Sequence, residues 1–419
     1  MSTARPRPFV VLLVVLGLVG MGNVGEAQTD AASGAGGKVQ AGEEGFRVVS
    51  GDGAFALRLR GDLYADARFF PGTTEPAGGD RFFLRRARPR LQGRVYDRFA
   101  FSLRSDFGIG GPEIDDAFVE ARVAPALRLR MGRFNVPVGL EVLSSSTGLM
   151  HVERGFPAGL VPERDVGVML AGDVGAGRLH YALGLFNGAP GASEPGGDVD
   201  DAKEAAGRVF VVPLAGTNGM WKGLGVGLAG TVGTVTGTEA TPALTGLRTT
   251  GRQSFFGYRD EARADGRRWR LAPQARLYAG PVALLGTYTV TTETARRGPL
   301  TETLTHRAWQ ASATVVLTGE DAREGEVVPD DPFGAERGTG AIELGGRVHG
   351  VTFDDEAFPA FAAPTAASGA TAWGLTLSWY PNAMVRVMLG LERTGFEAVG
   401  AGPTRDPETL LLTRMQISF

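Results

Sequence analysis

The sequence predicts a closed, antiparallel transmembrane β-barrel of about 16 strands, and three observations carry that prediction. In the stretch from Phe55 to Phe69, positions Phe55, Leu57, Leu59, Gly61, Leu63, Ala65, Ala67 and Phe69 fall on one face, and Arg58, Arg60, Asp62, Tyr64, Asp66 and Arg68 on the other, because successive side chains of an extended chain point to opposite sides. Between Phe82 and Val95, Arg86, Arg88, Arg90 and Arg94 recur at even spacing while Ala87, Leu91, Gly93 and Val95 take odd positions. Burying unpaired charges is prohibitive, so water lies on the arginine side, and lipid on the other completes the pattern of a barrel strand. Finally, no segment beyond the leader is long and uncharged enough to cross a bilayer as a helix, which takes about 20 residues, and a closed barrel is the remaining way to satisfy backbone hydrogen bonds in hydrocarbon.

In chain order, Arg5 and Arg7 precede an apolar run from Phe9 to Gly20, and Gly25-Glu26-Ala27 supplies small residues before a cut. Residues 1–27 therefore read as an export signal, 28–50 as a flexible lead-in poor in pattern, and 51–419 as the barrel. Period-two runs follow at about 54–69, 82–95, 99–107, 116–123 and 127–134. The pattern then stops from Asn135 to Asp165, a gap of the length that functional loops take. Runs resume at about 166–173, 178–186, 207–214, 223–236, 268–279, 281–293, 306–318, 340–352, 371–380, 383–393 and 410–419. That gives about 16, an even number that pairs the first strand with the last and removes both edges. Connectors at 187–204, 237–266, 319–339 and 353–370 are long, others such as Gly280-Pro281 short, which predicts long loops at one rim and short turns at the other. Trp373 and Trp379, six apart on the apolar face of one strand, suit the two interfacial girdles.

The chain lacks cysteine, so disulfides, thiolate metal sites and cysteine nucleophiles are excluded. A formal charge of −3 gives no bulk preference for nucleic acid. Basic residues are 40 Arg and only three Lys (Lys38, Lys203, Lys222), so an argument about arginine rests on position rather than number. Gly225 to Gly230 fits GxGxxG but lies in a strand pattern with no helix after it. The four histidines form no i, i+3 or i+4 ligand pair, and the acidic 320–336 stretch has irregular oxygen spacing for calcium. No catalytic residue, cofactor or metal is expected.

Several motifs, in order, carry a resemblance. They are FLRRARPRLQGRVYDRFAFSLRSDF at 83–107, DDAFVE at 115–120, LRLRMGRFNVPVGLE at 127–141, YALGLFNG at 181–188, WGLTLSWYPNAMVRVML at 373–389 and the terminal TRMQISF at 413–419. Over nearly its whole mature length the chain resembles the phosphate-selective porin O and P family of bacterial outer-membrane proteins. The resemblance implies a 16-stranded barrel in the outer-membrane lipid bilayer, commonly a homotrimer, through which small anions such as phosphate diffuse passively. By motif position, Arg85 and Arg86 match a basic pair and Arg133 sits in the GRF motif. Asn135 departs from the pattern, where related chains often carry Lys, which weakens the case for phosphate in particular.

The inner faces of the first five strands carry arginine in excess of acid, 11 against five (Asp62, Asp66, Asp106, Asp116, Glu120). Guanidinium forks match oxyanions in a bidentate way and stay charged, and a basic lumen concentrates anions. The ion-pathway residues expected on these grounds and on the resemblance are Arg58, Arg60, Arg85, Arg86, Arg88, Arg90, Arg94, Arg104, Arg128, Arg130 and Arg133. The 135–165 segment folding inward would bring Glu141, His151, Glu153, Arg154, Glu163 and Arg164 to the bore. The competing reading is that lumen arginines pair with acids and stiffen the wall, giving a weakly selective or carbohydrate-type pore, or a plugged structural or adhesive barrel.

Overall fold

The computed structural model describes residues 37–42, 45–72, 79–188, 200–334, 338–400 and 405–419. The expected export signal, 1–27, lies outside them. Sixteen strands form the barrel: β3 (Phe55–Phe69), β4 (Arg81–Val95), β5 (Phe99–Asp106), β6 (Glu113–Ala124), β7 (Leu127–Asn135), β8 (Arg164–Val174), β9 (Leu179–Phe186), β10 (Glu204–Val211), β11 (Gly225–Thr236), β14 (Arg263–Ala279), β15 (Val282–Arg297), β16 (Leu300–Val316), β17 (Ala341–Thr352), β18 (Gly369–Asn382), β19 (Val385–Glu397) and β20 (Glu408–Ser418). Each pairs antiparallel with the next in the chain, and β20 returns to β3 from Leu411 opposite Phe69 to Ser418 opposite Asp62. Every run predicted from alternation is one of these strands. A small hairpin, β12 (Leu247–Arg248) with β13 (Ser254–Phe256), stands apart from the wall.

The alternation works as physical chemistry requires. Outward positions are large and bare, Val119 58 %, Leu183 62 % and Leu375 51 % exposed, a surface that water would penalise by about 25 cal/mol per Å² and that acyl chains accept. Inward positions are polar and buried, Thr289, Gln310, Ser378 and Gln416 among them.

The lead-in was expected to be featureless, and here the structure corrects the sequence reading. Residues 38–42 and 45–49 form two paired strands, β1 (Lys38–Gly42) with β2 (Gly45–Val49), and β2 pairs with β3 from Phe46 opposite Leu59 to Val49 opposite Ala56. The cause is an unfilled edge. The β20 ladder on β3 runs to Ser418 opposite Asp62 and is closed by Phe419, whose N–H and C=O both bond Gly61, so the first residues of β3 lie beyond its reach and would expose bare ladder groups. Strand β2 takes them, and the Phe46 ring meets Phe419 at 6.2 Å. Five-residue strands were too short for period-two counting to reveal.

The segment from 136 to 163, between β7 and β8, turns into the lumen. It contains α1 (Leu140–Leu143) and two 3₁₀ turns, Ser146–Gly148 and Phe156–Leu160. Val136, Val138, Val142 and Val161 pack on Phe134, Met169, Phe186 and Ala206 of the wall. From the same rim, segments 237–262 and 353–368 add a second apolar cluster that includes Leu247, Phe255, Phe256, Phe353 and Phe361 with Phe156 of the inward segment.

The long connector 317–340, between β16 and β17, opens at the opposite rim, the one otherwise made of short turns, so the expected split between rims has an exception there. It folds back over the barrel end. Ala322 N–H bonds Gly280 C=O at 2.8 Å and Phe333 N–H bonds Pro381 C=O at 2.7 Å, while Ala322 and Val327 pack with Tyr380 and Met150. The inward segment is thus touched from both ends of the barrel.

Candidate functional site

The inward segment is held by arginines of the far wall. Arg386 on β19 donates to the carbonyls of Thr147 and Leu149 (3.2 and 2.8 Å). Arg414 on β20 donates to Val152 C=O at 2.5 Å and Arg347 on β17 to Glu153 C=O at 2.7 Å, and Gln416 adds a bond to Thr147 C=O at 3.1 Å. Glycines make the seat. A Cβ on Gly390 would stand 3.1 Å from Val152 Cγ2, and one on Gly345 3.4 Å from His151 Cε1. At the tip, Ser146 Oγ meets Tyr64 Oη at 3.2 Å and accepts from Arg88 Nη1 at 3.3 Å. Arg347, Arg386 and Arg414, which the sequence reading had not singled out, therefore serve the loop before they serve any ion.

Expected pathway residues divide by what they touch. Arg85 is the extra residue of a β-bulge, since Tyr64 faces Arg86 while Ala65 faces Leu84. A bulge turns two successive side chains to one side, so both Arg85 and Arg86 reach the lumen. Arg85 grips Glu153 in a fork, 2.6 and 3.0 Å, and Arg86 lies 3.5 Å from Asp106. A second bulge brings Asp115 inward beside Asp116. Arg88 contacts Asp106 and Asp115 at 2.7 and 2.8 Å, and Arg104 contacts Asp115 and Asp116 at 3.3 and 2.9 Å. Arg130 pairs with Glu120 at 2.5 Å, Arg128 with Asp173 at 2.9 Å, Arg94 with Asp97 at 2.7 Å, Arg133 with Glu113 at 2.9 Å, and Arg90 lies 3.9 Å from Asp62. Arg58 and Arg60 stand half-buried near the short-turn end of β3.

What remains is a cavity of about 700 Å³ between the inward segment, the β4–β7 wall and the 237–262 segment, with Arg414 of β20 at its edge. Nine arginines line it (Arg85, Arg86, Arg88, Arg133, Arg154, Arg164, Arg248, Arg252, Arg414) against five carboxylates (Asp106, Glu113, Asp115, Glu153, Glu163), an excess of four positive charges. Only Arg85, Arg86, Arg88 and Arg133 of the expected set are among them. Glu153, Arg154, Glu163 and Arg164 arrive with the inward segment as anticipated; Arg154 and Arg164 both contact Glu163, at 3.0 and 2.5 Å. Burial opposes ionisation of Glu153 and Glu163, but the guanidinium groups of Arg85 and Arg414 on one, and Arg154 and Arg164 on the other, outweigh it and hold both carboxyls well below their usual range.

Arg248 and Arg252 were missed, because GLRTTGRQ has neither alternation nor a motif. Neither makes an ion pair with a carboxylate among the described residues. Burial together with Arg85, Arg248 and Arg68 brings the Arg252 guanidinium down to about 10, a mark of crowded positive charge. Asn135, standing where Lys was expected, turns back to the inward segment and donates to Val142 C=O at 3.2 Å.

A closed barrel, apolar outside, polar inside and narrowed by an inward loop, defines the class of outer-membrane porins. The sequence profile of phosphate-selective porin O and P matches residues 57–415, and the chain belongs to that family of the bacterial outer membrane. A search by sequence against curated proteins gave no match. Among solved structures, the outer-membrane channel DcaP of Acinetobacter baumannii is similar with a TM-score of 0.57 at 12 % identity, over 87 % of this chain and 98 % of that one. The trimer form of OmpT from Vibrio cholerae gives 0.54 at 11 % (87 % and 100 %), and an anion-selective porin from Comamonas acidovorans 0.52 at 13 % (87 % and 100 %). At such identities these likenesses speak for the fold.

Proposed function

We propose that this porin admits small anions by passive diffusion, phosphate-type oxyanions among them, and that lumen arginines guide them. The observation that carries the reading is the excess of four positive charges around the narrowed cavity, with Arg248 and Arg252 free of carboxylate partners among the described residues. Low-dielectric walls focus such a charge onto the water between them. An anion entering from the loop rim meets these two cations first as free donors, then the paired arginines, whose forks are already occupied.

The paired state favours a modest preference over a strict filter. At least nine of the eleven arginines expected on the pathway lie within 4.0 Å of a carboxylate among the described residues, which neutralises much of their field and keeps weak selectivity as the second reading. We also propose a homotrimer, supported by the barrel type and by the trimer form of the Vibrio cholerae protein; light scattering on the detergent-purified protein tests it. The ion reading is tested by the reversal potential of the purified protein in a planar bilayer under a potassium chloride gradient. Anion preference supports it, and a potential of the cationic sign overturns it while leaving the porin intact.

A further inference from the structure

A second group of cations stands in the lumen near the short-turn rim, away from the cavity described above. On β10, Phe210 lies inward and lays its ring over the glycines of β11, where a Cβ on Gly225 would stand 2.5 Å from Phe210 Cε1. This explains Gly225 and Gly227, the first two glycines of the GxGxxG pattern, as floor space for an aromatic ring. Arg208 holds its Cζ 4.5 Å from the centre of that ring, and Arg276 of β14 holds its own at 5.0 Å from the same centre. Two guanidinium groups gathered on one phenyl ring gain from its quadrupole but repel each other.

Compensation is incomplete. Arg276 pairs with Glu324, from the 317–340 connector, whose side chain remains 53 % exposed. Arg208 makes no ion pair with any described residue, and its Nε is buried without a hydrogen-bond partner. Two residues from Arg276 on the same inward face, Gln274 is 5 % exposed, and both its amide oxygen and its amide nitrogen lack partners. Buried amides are nearly always bonded, so these unmet donors and this acceptor point to something that comes and goes.

We propose that Arg208, Arg276 and Gln274 form a second anion station at the short-turn end of the lumen, suited to small oxyanions, with Glu324 as its resident carboxylate. Planar forks bind an oxyanion through paired N–H groups, and the Gln274 amide supplies a further donor. Glu324 pairs with Arg276 where an anion would pair with it. A permeating anion displaces it, and its return helps release the anion, as conduction requires binding weak enough to leave. The proposal rests on the anion reading above.

The test is block of chloride current by inorganic phosphate in planar bilayers, with the full chain. Wild-type protein shows a saturable block. Glu324→Gln tightens it by about three- to fivefold, the worth of one half-exposed ion pair, Glu324→Asp leaves it near wild type, and Arg208→Gln weakens it. The station is overturned if phosphate gives no saturable block, or if Glu324→Gln leaves the block unchanged in a channel whose reversal potential is still anionic. A cationic reversal potential in the wild type removes the underlying reading instead. Should Arg208→Gln yield no channels, Glu324→Gln decides alone, since that residue sits on an exposed connector.

Discussion

Replacing Arg252 by Gln removes one positive charge from the cavity and no ion pair, which makes it the cleanest probe of the lumen field. An ion passing at about 8 Å from that charge feels about 0.5 kcal/mol in water-like dielectric. Screening at about 0.1 M salt cuts this to about 0.2 kcal/mol. The term favours an anion and disfavours a cation by equal amounts, so the chloride-to-potassium permeability ratio falls by about twofold in Arg252→Gln. Arg252→Lys keeps the charge and keeps the ratio. The assay is the reversal potential across a tenfold potassium chloride gradient, with single-channel conductance recorded to confirm an intact pore. A ratio that stays constant or rises in Arg252→Gln refutes the claim that this unpaired guanidinium sets the field.

Acidification tests the carboxylates of the inward segment. Their folded-state affinities for protons lie below the unfolded values, so the stabilisation is present above the ordinary glutamate value of about 4.3 and is lost as pH falls further; the inward segment should stay seated, read as resistance to protease at 144–163, between pH 7 and 5 and loosen only below 4. Arg386→Ala removes two donors to loop carbonyls and a partner of Glu343. It should free the 144–153 tip, read as new protease cleavage there and noisier current, at a cost of about 3 kcal/mol or more for the broken buried pair. Gly61→Val would drive a Cβ to 2.7 Å from the Phe419 ring and should lower the temperature at which the barrel loses its compact mobility in detergent gels, by several degrees for about 1–3 kcal/mol of overpacking; an unchanged transition would count against the seam as described.

How much of this was legible beforehand follows from what each feature demands of the sequence. The wall was legible because lipid outside and water inside impose a strict period of two, and Phe55–Phe69 or Gly369–Asn382 obey it almost without exception. The inward segment showed itself as the place where that period fails. Arg85 could be placed only by resemblance, since parity puts it outward and a bulge reverses parity locally. The clamping role of Arg347, Arg386 and Arg414 was hidden for a different reason: an arginine facing water and an arginine facing a backbone carbonyl occupy the same inward register. Arg208 and Arg276 met over Phe210 through strand neighbours far apart in sequence, and only the register of β10, β11 and β14 brings them together.

The strand pair at 38–42 and 45–49 bears on how the polypeptide is threaded into its final shape during export. Of its two strands, β2 pairs along the β3 edge next to Gly61, where Phe419 bonds, and its Phe46 ring meets the Phe419 ring. β2 and β3 can therefore build half a berth into which Phe419 docks. A truncation that spares every spanning strand but removes 38–49 should slow insertion while leaving the inserted conduit unaltered, tying biogenesis, rather than permeation, to those twelve residues.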